Sequence, residues 1–491
     1  MKRLPYLLSL LLFLIYFLCY RGVLSHIIYY HEQHHLFLFS KEYFLNQLHT
    51  EGGLSYLTDF LIQFFYIPAV GGALLAAMLA AIYLLTYYNI KKITGQPDKL
   101  QLSLIPSIYL FIYTMAADHS LIPVTGSFIG LLLLSCLHLI TVKQWGFMRR
   151  LRWKSIRGKR TNIVLTSFIL ALYAALSFYS FVHSFNMRER IMLLAEKSVK
   201  EKKWDEVLAQ TGKYMDSGRS NQLISYFHHL ALYHNGRLPY ALFDYPQKLG
   251  VKALYLSWNS DSRESEYGHF LCEDLGYINE AHRWEFEAMV VWGETAPHLL
   301  NLARYNIANG RPAVAQRFIN LLKQSLFYKE EAAELERQLP TGEVNGLSAS
   351  LPHDDESPAR FANVINIGPE LQYLCEQDST NRMAFEYLMG YLLLSNDVIR
   401  FADNLKFIRN FSYRQLPPAY EEALYIYKLG AGEEALAQTG FTITEQTEKR
   451  FRRYYDLYAN REMQKLQAEF GNTYWYYLNF ISPYGNKIIK N

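Results

Sequence analysis

Long apolar runs are the feature of this sequence that most constrains its fold. Five stretches contain no Lys, Arg, Asp or Glu and have about the 20 residues that a helix needs to cross a bilayer: 4–20, 69–90, 101–116, 121–142 and 162–183. An α-helix satisfies its own backbone hydrogen bonds, so these runs predict about five transmembrane helices. The first run begins as a signal peptide does, but the four runs behind it favour an uncleaved anchor.

The distribution of charge predicts an orientation for these spans. Residues 1–183 contain 15 Lys and Arg against 6 Asp and Glu, or +9, whereas the remainder contains 34 against 39, or −5. The basic residues precede span one, separate spans two and three, and crowd into 143–160 between spans four and five. Lys and Arg accumulate on the cytoplasmic side, so the N-terminus is predicted to be cytoplasmic and residues 184–491 to lie outside the cytoplasm. The basic run 143–160 is thus explained as a determinant of membrane orientation, with binding of anionic lipids as an alternative. No nucleic-acid partner is expected.

The loop between the first two spans contains short helical patterns. Ser40 is placed to cap a helix that begins at Lys41, and Gly52 then interrupts the chain. The segment 54–66 is apolar but too short to span a bilayer, which predicts an interfacial or re-entrant helix that ends at Pro68. Its polar residues recur every four positions and should face protein or water; they are Ser55, Asp59 and Gln63.

Residues 184–491 show amphipathic helical patterns separated by short Gly or Asn turns. Small residues recur where paired helices would touch, and the arrangement resembles tetratricopeptide-type repeats in a degenerate form. The prediction is therefore an all-α chain: a transmembrane domain over 1–183, followed by a helical-repeat solenoid in two blocks, 184–339 and 359–491. The polar, turn-rich segment 340–358 is predicted to be a mobile loop between the blocks. Stacked repeats form extended surfaces that bind proteins or peptides.

Four cysteines are present, and no C-x-x-C motif occurs, which excludes zinc ribbons and thioredoxin-like redox sites. Cys272 and Cys375 lie in the soluble half. They would be able to form a disulfide outside the cytoplasm, and they are equally compatible with buried thiols.

Three stretches resemble an uncharacterised family of bacterial inner-membrane proteins with a domain of unknown function. They are Glu32-Gln33 with Leu36-Phe37-Leu38-Phe39, the run Gln63-Phe64-Phe65-Tyr66-Ile67-Pro68, and Leu416-Pro417-Pro418-Ala419-Tyr420-Glu421-Glu422-Ala423. The resemblance implies a location in the bacterial inner membrane, where the predicted orientation would place residues 184–491 in the periplasm. It supplies no catalytic residues.

The segment HEQHH, His31 to His35, fits the zinc-protease pattern H-E-x-x-H. A zinc protease needs both histidines one turn apart on a rigid helix, a poised Glu32 and a third ligand. Other histidines crowd the same loop and no downstream ligand motif follows, so polar histidines at the membrane boundary are the favoured explanation. His31 and His35 are remote metal candidates, and no metal or other cofactor is expected.

Carboxylates on the outer side give a second hypothesis. Glu32, Asp59, Asp118 and His119 all fall in segments predicted to face outward. Their arrangement resembles that of membrane glycosyltransferases that use lipid-linked sugars, in which a carboxylate acts as a base or metal ligand. No P-loop and no G-x-S-x-G motif occurs. The lack of inverted symmetry and of broken central helices argues against a transporter.

Two functional classes therefore remain. The favoured hypothesis is a membrane-anchored scaffold that binds the lipid bilayer through its spans and an envelope protein through its repeats. The alternative is a membrane enzyme whose outer-face site contains Glu32, Asp59, Asp118 and His119.

Overall fold

The structure is a computed structural model that describes residues 3–140, 159–259, 262–344, 346–347 and 366–485. Over these residues the chain is helical and contains no strand. It divides into two compact units. Unit 1 comprises residues 1–193 with 294–300 and 317–334, and unit 2 comprises 194–293, 301–316 and 335–491. Two short segments from the second half of the chain thus belong to the unit that contains the apolar helices.

Besides the segments 294–300 and 317–334, unit 1 is built from the first eight helices and the start of the ninth. They are α1 (Leu4–Arg21), α2 (Ser25–His34), α3 (Lys41–Thr50), α4 (Gly53–Ile62), α5 (Pro68–Thr94), α6 (Leu104–Tyr113), α7 (Ile122–Ile140), α8 (Lys159–Ser184) and α9 (Met187–Lys200), with a 3-10 turn at Gln63–Tyr66.

Four of these helices are long and apolar enough to cross a membrane, namely α1, α5, α7 and α8. The predicted third span differs. Only Leu104–Tyr113 is helical there, and ten residues extend about 15 Å, half the thickness of the hydrocarbon core. The chain before it, from Gly95 to Ser103, is not helical although part of it is buried. The expectation of unbroken spans is therefore wrong at this position.

Helices α1 and α5 pack closely and antiparallel. A Cβ atom on Gly72 would lie 3.4 Å from the Cβ of Tyr20, and the Ser9 hydroxyl donates to the Ala80 carbonyl at 3.2 Å. We call the end of the bundle at which α1 finishes and α5 begins the Tyr20 end. Small residues on α5 allow this approach, and large apolar side chains of α1, α5, α6 and α7 fill the core around it.

The short helices α3 and α4 confirm the pattern in the first loop. Ser40 caps α3 through a hydrogen bond from the Tyr43 amide at 3.1 Å. Gly52, with φ of 91°, separates the two helices. The polar face of α4 lies against protein, since Ser55 and Asp59 are both buried.

The remaining helices lie wholly or partly in unit 2. They are α10 (Trp204–Asp216), α11 (Gln222–His234), α12 (Leu238–Ala241), α13 (Gly268–Asp274), α14 (Ile278–Trp292), α15 (Ala296–Ala308), α16 (Pro312–Leu322), α17 (Lys329–Gln338), α18 (Ile367–Gln377), α19 (Arg382–Leu394), α20 (Val398–Asn404), α21 (Pro418–Ala431), α22 (Glu433–Thr439), α23 (Glu445–Ala459), α24 (Met463–Phe470) and α25 (Tyr474–Tyr476). Short 3-10 turns occur at Gly250–Ala253, Arg263–Tyr267 and Leu405–Asn410, and a π-helical turn at Tyr477–Ile481.

Six turns in the described part of 194–485 share one backbone geometry. Each has a single residue in the left-handed region, and the amide after it donates to the carbonyl five positions earlier, at 2.8–3.0 Å. This closure ends one helix and places the start of the next within two or three residues. The left-handed residues are Lys202, Gly236, Gly276, Gly310, Asn396 and Arg461.

Burial repeats around these turns. The residue five positions after each left-handed residue is buried, and so is the residue seven positions before it. The first set is Val207, Ala241, Ala281, Ala315, Phe401 and Leu466; the second is Ala195, His229, His269, Ala303, Met389 and Tyr454. Consecutive helices thus meet each time through equivalent positions.

Cys272 and Cys375, both in unit 2, are free thiols in this structure. Two sequence features lie outside the described residues: the basic run over its positions 143–158, and the predicted loop 340–358 at position 345 and from 348 onward.

Candidate functional site

The histidine-rich stretch forms the short helix α2, which stops before the last histidine. His31 lies on α2, whereas His35 follows its end with extended backbone angles, φ −129° and ψ 134°. The two rings are 5.6 Å apart, centre to centre. The two histidines are therefore not held on one helical face, as a zinc protease requires. In the described part of the chain, no cluster of three or more His, Cys, Asp or Glu side chains is arranged to hold a metal ion.

His35 instead pairs with Asp59. Its Nδ1 lies 3.0 Å from Asp59 Oδ1, and the carboxylate is almost fully buried. The other oxygen of Asp59 accepts from the Tyr43 hydroxyl at 3.4 Å and from Gln47 Nε2 at 3.3 Å, both on α3. A carboxylate at Nδ1 holds the proton on that nitrogen and leaves Nε2 as the basic site. The pair can therefore orient His35 as a general base.

The segment 317–334 supplies the opposite wall of the site. The Tyr328 hydroxyl donates to the Glu32 carboxylate, and the Tyr66 hydroxyl donates to Glu331 Oε1 at 2.9 Å. The Phe39 amide also donates to the Gln324 carbonyl at 2.8 Å. Each side of the contact thus contributes one tyrosine and one glutamate.

These groups enclose a small cavity of about 10 Å³, which has room for about one water molecule. Glu32 and His35 line the cavity directly, whereas Asp59 contacts His35 and does not line the cavity. The lining residues are Glu32, His35, Leu36, Phe37, Ile62, Gln63, Tyr66, Ser325, Leu326, Phe327 and Tyr328.

Protonation states follow from burial and neighbouring charge. Burial raises the pKa of Tyr66 to about 12, with the charges of Glu331 and Glu32 adding to the effect. The pKa of Tyr328 is also raised, first by burial and then by Glu32. Both phenols are consequently protonated donors at neutral pH, and the glutamates are their acceptors.

His31 is buried beside this cavity and forms no hydrogen bond through either ring nitrogen to any described residue. Burial, and then the neighbouring His35 and His34, hold its pKa well below the ordinary value. His31 is therefore neutral at physiological pH. It packs edge-on against Phe65, at 6.4 Å between ring centres.

Asp118 and His119 occupy a different place. Both are exposed in the turn between α6 and α7. His119 stacks on Tyr113 at 4.4 Å and contacts its carbonyl through Nδ1 at 2.7 Å. Of the four predicted candidates, Glu32 lines the cavity and Asp59 reaches it only through His35, while Asp118 and His119 lie outside it.

Two overlapping stretches of the chain, residues 1–184 and 156–481, match the model of a family described as "Family of unknown function (DUF6057)". The chain belongs to this family. The resemblance drawn from the sequence, to an uncharacterised family with a domain of unknown function, is thereby confirmed. No curated protein matches the chain, and no solved structure matches it.

In this DUF6057 member, sequence reasoning missed the residues that close the cavity. Tyr328 lies 296 positions from Glu32 and carries no local pattern that would connect the two. Tyr43 and Gln47 would have been easier to find. They lie four residues apart on one face of α3, and their polar groups point to a common partner.

Proposed function

We propose that the chain is an integral protein of the bacterial inner membrane whose periplasmic helical-repeat half binds another envelope protein. The observation that carries the proposal is the recurrence of one turn geometry along residues 194–485. A chain that repeats the same helix–turn–helix connection builds a stack of hairpins, and such stacks present extended binding surfaces.

The spacing of the turns favours the tetratricopeptide type. Lys202 and Gly236 are 34 residues apart, and so are Gly276 and Gly310. This is the length of one tetratricopeptide repeat. Other intervals are longer, which agrees with a degenerate array. Alanine also recurs where tetratricopeptide helices touch, at Ala281 and other equivalent positions.

A fifth crossing, in addition to the four long apolar helices, would place the repeat half in the periplasm. Ser107 on α6 bonds to Tyr16, and Thr114 directly after α6 bonds to Tyr20, so α6 runs toward the Tyr20 end. The next helix, α7, runs back, because Ser135 near its end bonds to Asn89 near the end of α5. The chain between α5 and α7 must therefore return through the bundle. The ten-residue α6 and the segment before it make this crossing together.

An exposed apolar stripe on α14 offers a place to test partner binding. Phe286 is 45% exposed and Val290 is 67% exposed, one helical turn apart on unit 2. A large exposed apolar pair on a repeat helix is typical of protein-binding surfaces.

The test is a crosslinked pull-down of the full-length protein from native membranes, analysed by mass spectrometry. Phe286→Glu should remove a stoichiometric envelope protein that the wild-type chain retains. Ile399→Glu is the matched control, since Ile399 is 64% exposed on the separate helix α20. Absence of any stoichiometric envelope protein from the wild-type sample would overturn the proposal.

A second candidate function is a membrane enzyme that acts on a lipid-linked sugar. One observation favours it: Glu32 and the His35–Asp59 pair face the same cavity. A carboxylate and an oriented imidazole are the groups that general base catalysis requires. Cells that lack the protein should then accumulate a lipid-linked sugar, and wild-type or Asp118→Asn protein should clear it. Glu32→Gln and His35→Ala should not. Clearance by both of these variants would refute the assignment.

A further inference from the structure

The broken third crossing contains a buried carboxylate that neither proposed function uses. Helix α5 ends at Gly95 in the left-handed conformation, and the chain stays non-helical until Leu104. Within this stretch Asp98, Gln101 and Ser103 are each more than nine-tenths buried. A charged residue in such a place is costly, and in membrane proteins it is usually functional.

The segment folds around the Asp98 side chain. One carboxylate oxygen accepts from the Ser103 amide at 2.8 Å. Gln101 Nε2 donates to the Asp98 carbonyl at 2.9 Å. No described Lys, Arg or His side chain forms an ion pair with this carboxylate, although Lys99 lies next to it in sequence and Lys91 and Lys92 end α5.

Three other buried oxygen atoms in this part of the bundle have no hydrogen-bond partner among the described residues. They belong to Tyr83, Gln101 and Ser103. Tyr83 lies one turn after Leu79 on α5, and Ser103 lies four positions before Ser107, whose hydroxyl donates to the Leu79 carbonyl at 2.8 Å. Leaving a buried polar atom unpaired costs about 1–3 kcal/mol, so three together in one part of the bundle indicate a missing ligand.

The backbone supports the same conclusion. Gln101 has φ of 53°, in the left-handed region that residues other than Gly seldom adopt. Lys202, Asn396 and Arg461 adopt the same region where helices end in unit 2. At Gln101 no helix ends, and the turn lies where the Ser103 amide reaches the Asp98 carboxylate. Here the left-handed Gln101 lies between the Asp98 carboxylate and the Ser103 amide that binds it.

We propose that Asp98, Gln101, Ser103 and Tyr83 bind a small monovalent metal cation. Carboxylate, amide and hydroxyl oxygens are the ligands that hard cations prefer. The site has a single formal negative charge, which suits an ion such as Na⁺ better than a divalent ion. An interrupted membrane helix beside a carboxylate is also the arrangement in which unwound segments hold Na⁺ in other membrane proteins.

The test is binding of radioactive Na⁺ to the purified full-length protein in detergent, with unlabelled NaCl and choline chloride as competitors. The wild-type protein should bind about one ion per chain, and NaCl but not choline chloride should displace it. Asp98→Asn should weaken binding by about tenfold or more, which corresponds to at least about 1.4 kcal/mol. Asp118→Asn removes an exposed carboxylate and should bind as the wild type does.

Tyr83→Phe removes one neutral oxygen and keeps the charge, so it tests the site even if Asp98→Asn fails to fold. It should weaken Na⁺ binding several-fold while the protein remains monodisperse. No NaCl-displaceable binding to the wild-type protein would overturn the proposal, as would equal affinity in wild-type and Tyr83→Phe protein. If a water molecule occupied the site in place of Na⁺, the wild-type protein would show no NaCl-displaceable binding.

Discussion

The Tyr328 hydroxyl donates a hydrogen bond to the carboxylate of Glu32, a residue 296 positions earlier in the chain. Tyr66 and Glu331 form the reverse pair beside it, and the rings of Tyr66 and Tyr328 meet edge to face at 5.2 Å. These two pairs attach the segment 317–334 to the short helices that follow the first span. The cavity with Glu32 and His35 exists because this segment closes it.

Loss of the Tyr328 hydroxyl should weaken this attachment. Tyr328→Phe keeps the ring contact with Tyr66 but leaves Glu32 Oε1 without its donor, while Glu32 Oε2 still accepts from Gln33 Nε2. We expect a loss of about 1–3 kcal/mol in the free energy of unfolding, measured as a lower thermal midpoint of the full-length protein. Tyr455→Phe is the control, since that side chain is exposed. Equal midpoints for the two variants would show that the hydrogen bond contributes nothing.

Gly268 should tolerate no side chain. A Cβ atom there would lie 2.4 Å from the Trp284 ring, which packs across the turn between α13 and α14. Gly268→Ala should therefore destabilise unit 2 by about 1–3 kcal/mol, as overpacked cores do. Gly430→Ala is the matched control, because a Cβ there meets nothing within 4 Å and the position is helical. Thermal unfolding should show a lower midpoint for the first variant and an unchanged or higher one for the second.

Glu422 should make unit 2 less stable as pH rises. Its oxygens accept from the Tyr474 amide at 2.8 Å and pair with Arg450 at 3.1 Å, yet burial outweighs both partners and raises its pKa to about 7. The folded state therefore holds a proton that the unfolded state, with a pKa near 4.5, has released. The resulting stability is present below pH 4.5 and is lost as pH rises toward and through 7.

Glu422→Gln should remove this dependence. The variant should gain up to about 3 kcal/mol relative to the wild type between pH 4.5 and pH 8, at about 1.4 kcal/mol per pKa unit. Thermal midpoints of the two proteins across this range measure the difference. Glu434→Gln, at an exposed position on α22, should follow the wild type. A constant gap between Glu422→Gln and wild type would contradict the assignment of the titration to Glu422.

Local patterns in the sequence predict the elements well where neighbouring residues determine them. The Ser40 cap, the buried polar face of α4 and the long apolar helices all depend on contacts within one helix or one turn. Hydropathy does not report backbone conformation, so the uncharged run 101–116 did not reveal that Gln101 to Ser103 are not helical and that the helix there covers only Leu104–Tyr113.

The candidate site depends on distant contacts and was only partly predictable. Glu32 and Asp59 were identified as carboxylates near the first span, but the role of His35 depends on α2 ending at His34. Asp118 shares their predicted side of the membrane without reaching the cavity. No periodic pattern in the sequence predicts that residues 294–300 and 317–334 belong to unit 1, since these residues resemble those of the helices around them.

Labelling of a single introduced cysteine tests the central claim most directly, that the helical repeats face the periplasm. Glu433, whose side chain is 83% exposed on α22, would be replaced by Cys in the full-length protein with its four native cysteines changed to Ser. The account predicts labelling by a membrane-impermeant maleimide at the periplasmic face of cells whose inner membrane is intact. A Cys at Lys92 should be labelled only after that membrane is opened. Labelling of Glu433→Cys solely after opening the inner membrane would contradict the account.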